Sequence, residues 1–319
     1  MTADPADIRI GISACLLGEE VRYDGGHKRD RFITDTLGRF VRYLTVCPEL
    51  ELGLGVPREP IRLERGREGL RLVGTRSRRE HTAAMLAYAR QRLAELEAAE
   101  LSGFILKKGS PSCGMERVRV HTESGGAERN GRGLFAEALI ERLPLLPVEE
   151  EGRLGDPALR ENFFERVFAY RRLRGLFDAR PCMGELVRFH SREKLLLMAH
   201  DAGSYRELGR LVAGRKGRPG AGLAREYQTL FMRGLTRIAT RRKHTNVLQH
   251  IQGHFKKLLP ADDRRELAAL IADYHQGIVP LVVPVTLIRH HLGRHDLPYL
   301  AEQSYLEPHP KELMLRNHV

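Results

Sequence analysis

Three cysteines, Cys15, Cys47 and Cys113, each stand just after a short apolar run. Three thiols so placed can ligate a metal centre that keeps one position open. The runs, 8–12, 40–46 and 103–106, have the length and composition of strands. In an open parallel sheet, ligands gather at the carboxyl ends of strands, so thiols far apart in sequence can meet at one point. A vacant fourth position distinguishes a catalytic metal site from a closed structural one, because substrate can enter it. The spacing fits zinc with bound water as well as an iron–sulfur cluster. Cys182, in Arg-Pro-Cys-Met-Gly, has no such context and reads as a structural thiol.

At 319 residues the chain has length for two domains with separate cores. Residues 1–7 are acidic and lack the apolar stretch of a signal peptide, and no run approaches the roughly 18 apolar residues of a membrane span. A cytoplasmic protein is expected, with no membrane partner. Four cysteines in a reducing compartment then read as metal-binding, catalytic or buried thiols rather than disulfides. Charge divides the chain: residues 1–150 hold 24 Lys and Arg against 23 Asp and Glu, and residues 151–319 hold 29 against 18, with 11 of the 14 histidines. A genomic preference for Arg would have raised both halves. The asymmetry points instead to a polyanion partner for the second half, since Lys and Arg contacts to phosphate supply most sequence-independent affinity.

The patterning predicts a Rossmann-like α/β domain with a mostly parallel sheet over 1–148, a linker over 149–155, and an all-α domain over 156–319. In the first, helices are expected near 31–40, 79–101 and 134–142. Two short alternations lie in 61–73, a Gly-rich loop in 124–133 and a last strand in 143–148. The second should carry helices near 157–176, 184–201, 205–212, 223–239, 245–258, 261–276 and 284–291.

The contexts of the cysteines are specific. Ser13-Ala14-Cys15-Leu16-Leu17-Gly18 with Val21-Arg22-Tyr23-Asp24-Gly25, then Cys47-Pro48-Glu49, then Leu106-Lys107-Lys108-Gly109-Ser110-Pro111-Ser112-Cys113-Gly114 together resemble the thiouracil desulfidase (TudS) family over 8–148. One departure is the run Leu50-Glu51-Leu52-Gly53, where the family has a more Gly-rich loop. Residues 156–319 resemble the YbgA-like domain through His190 to Lys194, His200, Tyr205, 246–253, Phe255-Lys256, 279–284 and 299–306. The fusion is similar to the RudS-type desulfidases of 4-thiouridine in tRNA.

The resemblance implies a 4Fe-4S cluster held by Cys15, Cys47 and Cys113 with one iron open, and a tRNA containing 4-thiouridine as partner and substrate. It implies non-redox replacement of thiocarbonyl sulfur by oxygen from water, giving uridine and sulfide. Glu49 would act as general base and Ser110 as proton relay. Ser13, Arg22, Asp24, Lys107, Lys108 and Ser112 would line the substrate pocket, although each also reads as an ordinary turn or solvated residue. In the basic half, Arg241, Arg242 and Lys243, with Lys256 and Lys257, are the expected RNA contacts. His250 and His254 stand four apart and read as hydrogen-bonded helix histidines among Leu248, Ile251 and Phe255. Tyr205, Tyr227 and Tyr299 read as core residues or base-stacking platforms. Two other readings stay open. One is a desulfidase of free thiouracils or thionucleosides, and the other a nucleic-acid-binding protein with a structural or sensing metal. Oligomeric state is not legible.

Overall fold

The computed structural model describes residues 8–67, 69–122 and 125–318. The acidic opening, residues 1–7, and Ser124 at the head of the expected Gly-rich loop lie outside them. The chain divides into two units, Met1–Gly155 and Asp156–Val319.

The first unit runs β1 (Arg9–Ser13), β2 (Arg42–Val46), a single turn α1 (Pro48–Glu51), β3 (Ile61–Gly66), β4 (Gly69–Gly74), α2 (Thr82–Ala98), β5 (Gly103–Leu106), β6 (Val118–His121), β7 (Ala127–Gly131), α3 (Leu134–Arg142) and β8 (Val148–Glu150). One sheet has the order β2-β1-β5-β8 and is parallel throughout. Burial on both faces explains why its strands are apolar runs rather than alternations: Ile10, Ile12, Phe104, Ile105 and Leu106 are all inaccessible. Gly11 lies opposite Phe104 in register, and a Cβ there would stand 2.3 Å from the Phe104 ring. The ring covers the glycine. A second sheet, β4-β3-β6-β7, is antiparallel at both ends with a parallel β3–β6 pair.

Three local expectations change. The helix expected near 31–40 is a π turn, Phe32–Thr36, followed by a 3-10 turn, Leu37–Arg39. The expected Gly-rich loop holds β7, which pairs with β6. Glu149 and Glu150, expected to open the linker, complete β8 instead and are buried. Backbone pairing with β5 and specific polar contacts override their charge: Arg153 donates to Glu149 at 2.6 Å, and the Met115 N–H donates to Glu150 at 2.7 Å.

The second unit is helical: α4 (Pro157–Asp178), α5 (Met183–Arg192), α6 (Lys194–Val212), α7 (Ala221–Leu235), α8 (Arg241–His254), α9 (Ala261–Gln276), α10 (Val282–Leu292) and a last turn, α11 (Pro298–Ala301). The expected break after residue 201 is the kink at Asp201, where the non-helical backbone divides α6 into two helical stretches, and a second, unexpected break falls at Glu193, which is buried in a bidentate pair with Arg172. No helix among the described residues is long and apolar enough to cross a membrane.

The helical core holds a charged network. Arg316 donates to Glu165 at 2.6 Å and Glu161 at 3.2 Å, His200 meets Glu165 at 2.9 Å, and His318 meets Glu161 at 2.7 Å. Burial works against Glu165 as an anion, yet the Arg316 charge and the His200 hydrogen bond hold its carboxyl below the usual range. Burial pushes His190 and His309 down to about 4 and His244 down to about 3, from an ordinary 6.5. Below pH 6.5 the unfolded chain therefore binds protons that the fold refuses. Stability should fall as pH drops from 6.5 towards 4, each histidine adding a slope of about 1.4 kcal/mol per pH unit. His318, raised by its hydrogen bond to Glu161, acts only above that window. Urea unfolding of the full chain should show a clearly lower midpoint at pH 5 than at pH 6.5. Equal midpoints would mean that these histidines are not held neutral.

Candidate active site

The carboxyl ends of the parallel sheet form one edge. Ser13 pairs with Val46, Ile12 with Ile105, and Leu106 with Glu150, so β1, β2, β5 and β8 end side by side. Cys15 lies two residues past β1, in the turn Ala14–Leu17, and Cys47 directly follows β2 as the cap of α1. Cys113 ends the loop that leaves β5. That loop is pinned from behind, because the Phe135 and Ala136 N–H groups donate to the Ser112 carbonyl at 3.0 and 3.1 Å. Gly133 makes the approach possible, since a Cβ there would stand 2.4 Å from the same oxygen.

These ends line a cavity of about 340 Å³. All three cysteines border it, with Ser13, Arg22, Glu49, Lys107, Lys108 and Ser110. The sequence-predicted set therefore converges, with two exceptions. Asp24 is off the cavity, held as an exposed turn residue by the Gly26 N–H, which also keeps its carboxyl below the usual range. Ser112 lies behind the lining, fully buried, and donates to Glu49 at 3.1 Å.

Glu49 is held from every side. Ser110 and Ser112 donate to Oε1 at 3.3 and 3.1 Å, while Arg58 donates to Oε2 through Nη2 at 2.6 Å and Nε at 3.2 Å. A carboxylate has about four lone-pair positions, so the longest contact, from Ser110, is the one most readily exchanged for an incoming donor. Ser110 Oγ also accepts the N–H groups of Ser112 and Cys113, at 3.2 and 3.1 Å. The one hydroxyl thus holds the turn and touches Glu49 at the same time.

Arg58 is the residue that sequence reasoning missed. Besides Glu49 it binds the carbonyls of Val21 and Gly55 at 3.0 and 2.9 Å, joining three loops at the cavity wall. Its only sequence signal is a cation nine residues beyond Glu49 in a Gly- and Pro-rich loop. Lys28 at the rim and Glu151 were also missed. Glu151 pairs with the Lys107 ammonium and accepts the Lys108 N–H at 2.7 Å, fixing the lysine pair where β5 and β8 end. Ser13 accepts the Lys107 N–H at 3.0 Å, and its hydroxyl favours the Cys113 thiolate against the burial that raises it.

None of the cysteines is in a disulfide. Burial pushes the Cys15 thiol up to about 11, raises that of Cys47, and raises that of Cys113 well above the ordinary value. Two of the sulfurs also feel another: Cys47 raises Cys15, and both raise Cys113. Against this, Lys107 and Arg22 favour the Cys15 thiolate. Metal binding therefore requires thiol deprotonation and releases protons. Among the described residues, no group of three or more His, Cys, Asp or Glu side chains is placed to hold a single metal ion. Three soft donors around a roomy cavity, with cations to offset their charge, fit a larger iron–sulfur group.

In the helical unit, Arg242, Lys256 and Lys257 are exposed. Arg241 lies over Gly277 and borders a smaller polar cavity, while the Lys243 ammonium donates to the His200 carbonyl at 2.5 Å. Tyr227 is a core residue. His250 and His254, expected as hydrogen-bonded helix histidines, are both exposed, with ring centres 5.4 Å apart. Cys182 is an exposed cap of α5.

The 2-thiouracil desulfurase family model matches residues 10–151, and that of DUF1722, described as a protein of unknown function, matches 194–310. The uncharacterized protein YbgA of Escherichia coli (strain K12) is 35% identical over 153 residues, 48% of this chain and 90% of that protein. The uncharacterized protein YbbK of Bacillus subtilis (strain 168) is 33% identical over 135 residues, 41% of this chain and 88% of that one. A solved 4Fe-4S-dependent thiouracil desulfidase, TudS, is 35% identical and covers 47% of this chain and 94% of its own, with a TM-score of 0.38. The cysteine-lined cavity thus falls within the first matched region and most of the helical unit within the second, and the chain belongs to the 2-thiouracil desulfurase family of enzymes through residues 10–151, fused to a YbgA-like DUF1722 domain over 194–310.

Proposed function

We propose that this protein is a cytoplasmic tRNA 4-thiouridine desulfidase that uses a 4Fe-4S cluster held by Cys15, Cys47 and Cys113. The observation that carries the reading is the convergence of three unpaired cysteines and an anchored Glu49 on one cavity at the carboxyl edge of the sheet. When bound, such a cluster supplies a soft Lewis-acidic iron, open at one position, for a thiocarbonyl sulfur. The chain's own groups do the rest. Lys107, Lys108 and Arg22 supply positive charge at the wall. The Ser110 hydroxyl, released from its 3.3 Å contact, holds water beside the thiocarbonyl carbon, and Glu49 takes the water proton directly or through Ser110. Arg58 keeps the carboxylate aimed at the cavity. The balance is C=S plus water giving C=O plus hydrogen sulfide, with no net electron transfer. The net charge of the second half, with 29 Lys and Arg against 18 Asp and Glu, supports RNA rather than a free base as substrate.

Anaerobically purified protein should be brown, hold about four irons per chain, and convert 4-thiouridine in tRNA to uridine, read by nucleoside analysis. Ala at Cys15, Cys47 or Cys113 should remove colour and turnover, while Cys182→Ala keeps both. Colourless, active protein with stoichiometric zinc would contradict the cluster, and turnover of free thiouracil but not of tRNA would reassign the substrate.

Glu49→Gln preserves the shape and removes the base. It should retain its iron while turnover falls by about 10²–10⁴-fold. Undiminished turnover in iron-replete Glu49→Gln protein would take Glu49 out of the mechanism.

A further inference from the structure

Residues 227–261 contain seven Lys and Arg and no Asp or Glu. Within this stretch α8 buries His244, Thr245, Val247, Leu248 and Ile251 and exposes Arg241, Arg242, Asn246, Gln249, His250, Gly253 and His254. The exposed positions recur at helical spacing, so they form one face, continued by Lys257 past the helix end. That face has no apolar side chain. A protein–protein interface would present an apolar, aromatic core, whereas polar and basic groups alone suit a sugar–phosphate backbone.

Lys194 lies beside this face. Its ammonium stands 5.9 Å from the centre of the Tyr205 ring and 5.7 Å from that of Tyr299. Tyr299 in turn meets His254 at 5.4 Å, and Tyr205 stacks on His190 at 5.3 Å with planes 5° apart. The lysine makes no ion pair among the described residues, and its charge is felt by both His190 and His250. Two aromatic rings thus hold an unneutralised cation in place, with its side-chain entropy already partly lost.

We propose that this face binds the RNA backbone, with Lys194 as anchor for one phosphate and Arg242 and Lys257 neutralising others along α8. This rests on the tRNA reading above and assigns it a surface, with Asn246 and Gln249 within the same strip to reach ribose or base edges. Arg241 and Lys243, by contrast, face the polar cavity and the His200 carbonyl.

The test uses the full, cluster-loaded chain and 4-thiouridine-containing tRNA, with affinity measured across salt concentrations. Lys194→Gln, Arg242→Gln and Lys257→Gln, made singly, should each weaken binding and lower the salt exponent by about 0.7–0.9. Lys311→Gln, exposed and away from α8 in sequence, should not. Tyr299→Phe should bind as the parent does, because the Tyr299 hydroxyl is buried without a partner and only the ring supports Lys194. Tyr299→Leu should reproduce the Lys194→Gln loss, and melting temperatures near the parent's show that the variants fold. Parent protein that binds tRNA, with salt exponents unchanged in the three charge variants, overturns this surface and leaves the substrate reading intact. Parent protein that binds no tRNA overturns both. Displacement of tRNA by inorganic phosphate at constant ionic strength would make the Lys194 position a site for free phosphate and also overturn it.

Discussion

Parallel in-register pairing of β2, β1, β5 and β8 is the constraint on which the cavity depends. It places the ends of four strands on one edge, so that Cys15, Cys47, the Lys107–Cys113 loop and Glu151 all emerge together. The register is locked by shape. Phe104 lies opposite Gly11, and a slip of one residue would drive its ring against Ile10 or Ile12, an overpacking that costs about 1–3 kcal/mol. The same slip would invert the strand's faces and separate the Ser13 hydroxyl from the Lys107 N–H and the Cys113 sulfur.

The electrostatics of the cavity are a second consequence of that edge. Burial disfavours each thiolate, and each thiolate disfavours the next, so a set of three is tolerable only beside cations or a bound metal. Lys107 and Arg22 provide the cations, and Glu151 fixes Lys107 in place. Glu49 adds to the load, its charge raising Cys47 and Cys113, while Arg58 pairs with it and the two serine hydroxyls hold its other oxygen. The carboxylate is therefore oriented before substrate arrives, which lowers the cost of reorganisation during reaction.

The centre was legible in sequence because its signal is local: an apolar run followed by a cysteine marks a strand end, and three such marks imply convergence. Glu49 and Ser110 were reached through motif resemblance. What escaped depends on contacts between loops. Arg58 lies nine residues beyond Glu49 in a Gly- and Pro-rich segment, and nothing in its spacing announces that the loop folds back. The acidic run at 149–151 resembled a linker, yet backbone pairing and Arg153 bury Glu149 and Glu150, and the lysine pair captures Glu151. β7, an edge strand of the second sheet, was hidden by its exposed polar residues. For His250 and His254 the phase of the helix held the answer: Val247, Leu248, Ile251 and Phe255 define the buried stripe, and the two histidines lie off it.

The central claim is that water replaces sulfur at the thiocarbonyl carbon in this cavity, without net oxidation or reduction. Anaerobic turnover of 4-thiouridine-containing tRNA in ¹⁸O-enriched water, with no added reductant or oxidant, tests it most directly. One labelled oxygen is expected in each uridine formed, with one sulfide released for each sulfur lost. Uridine carrying unlabelled oxygen, or sulfur loss that proceeds only with an electron donor or acceptor, would contradict it.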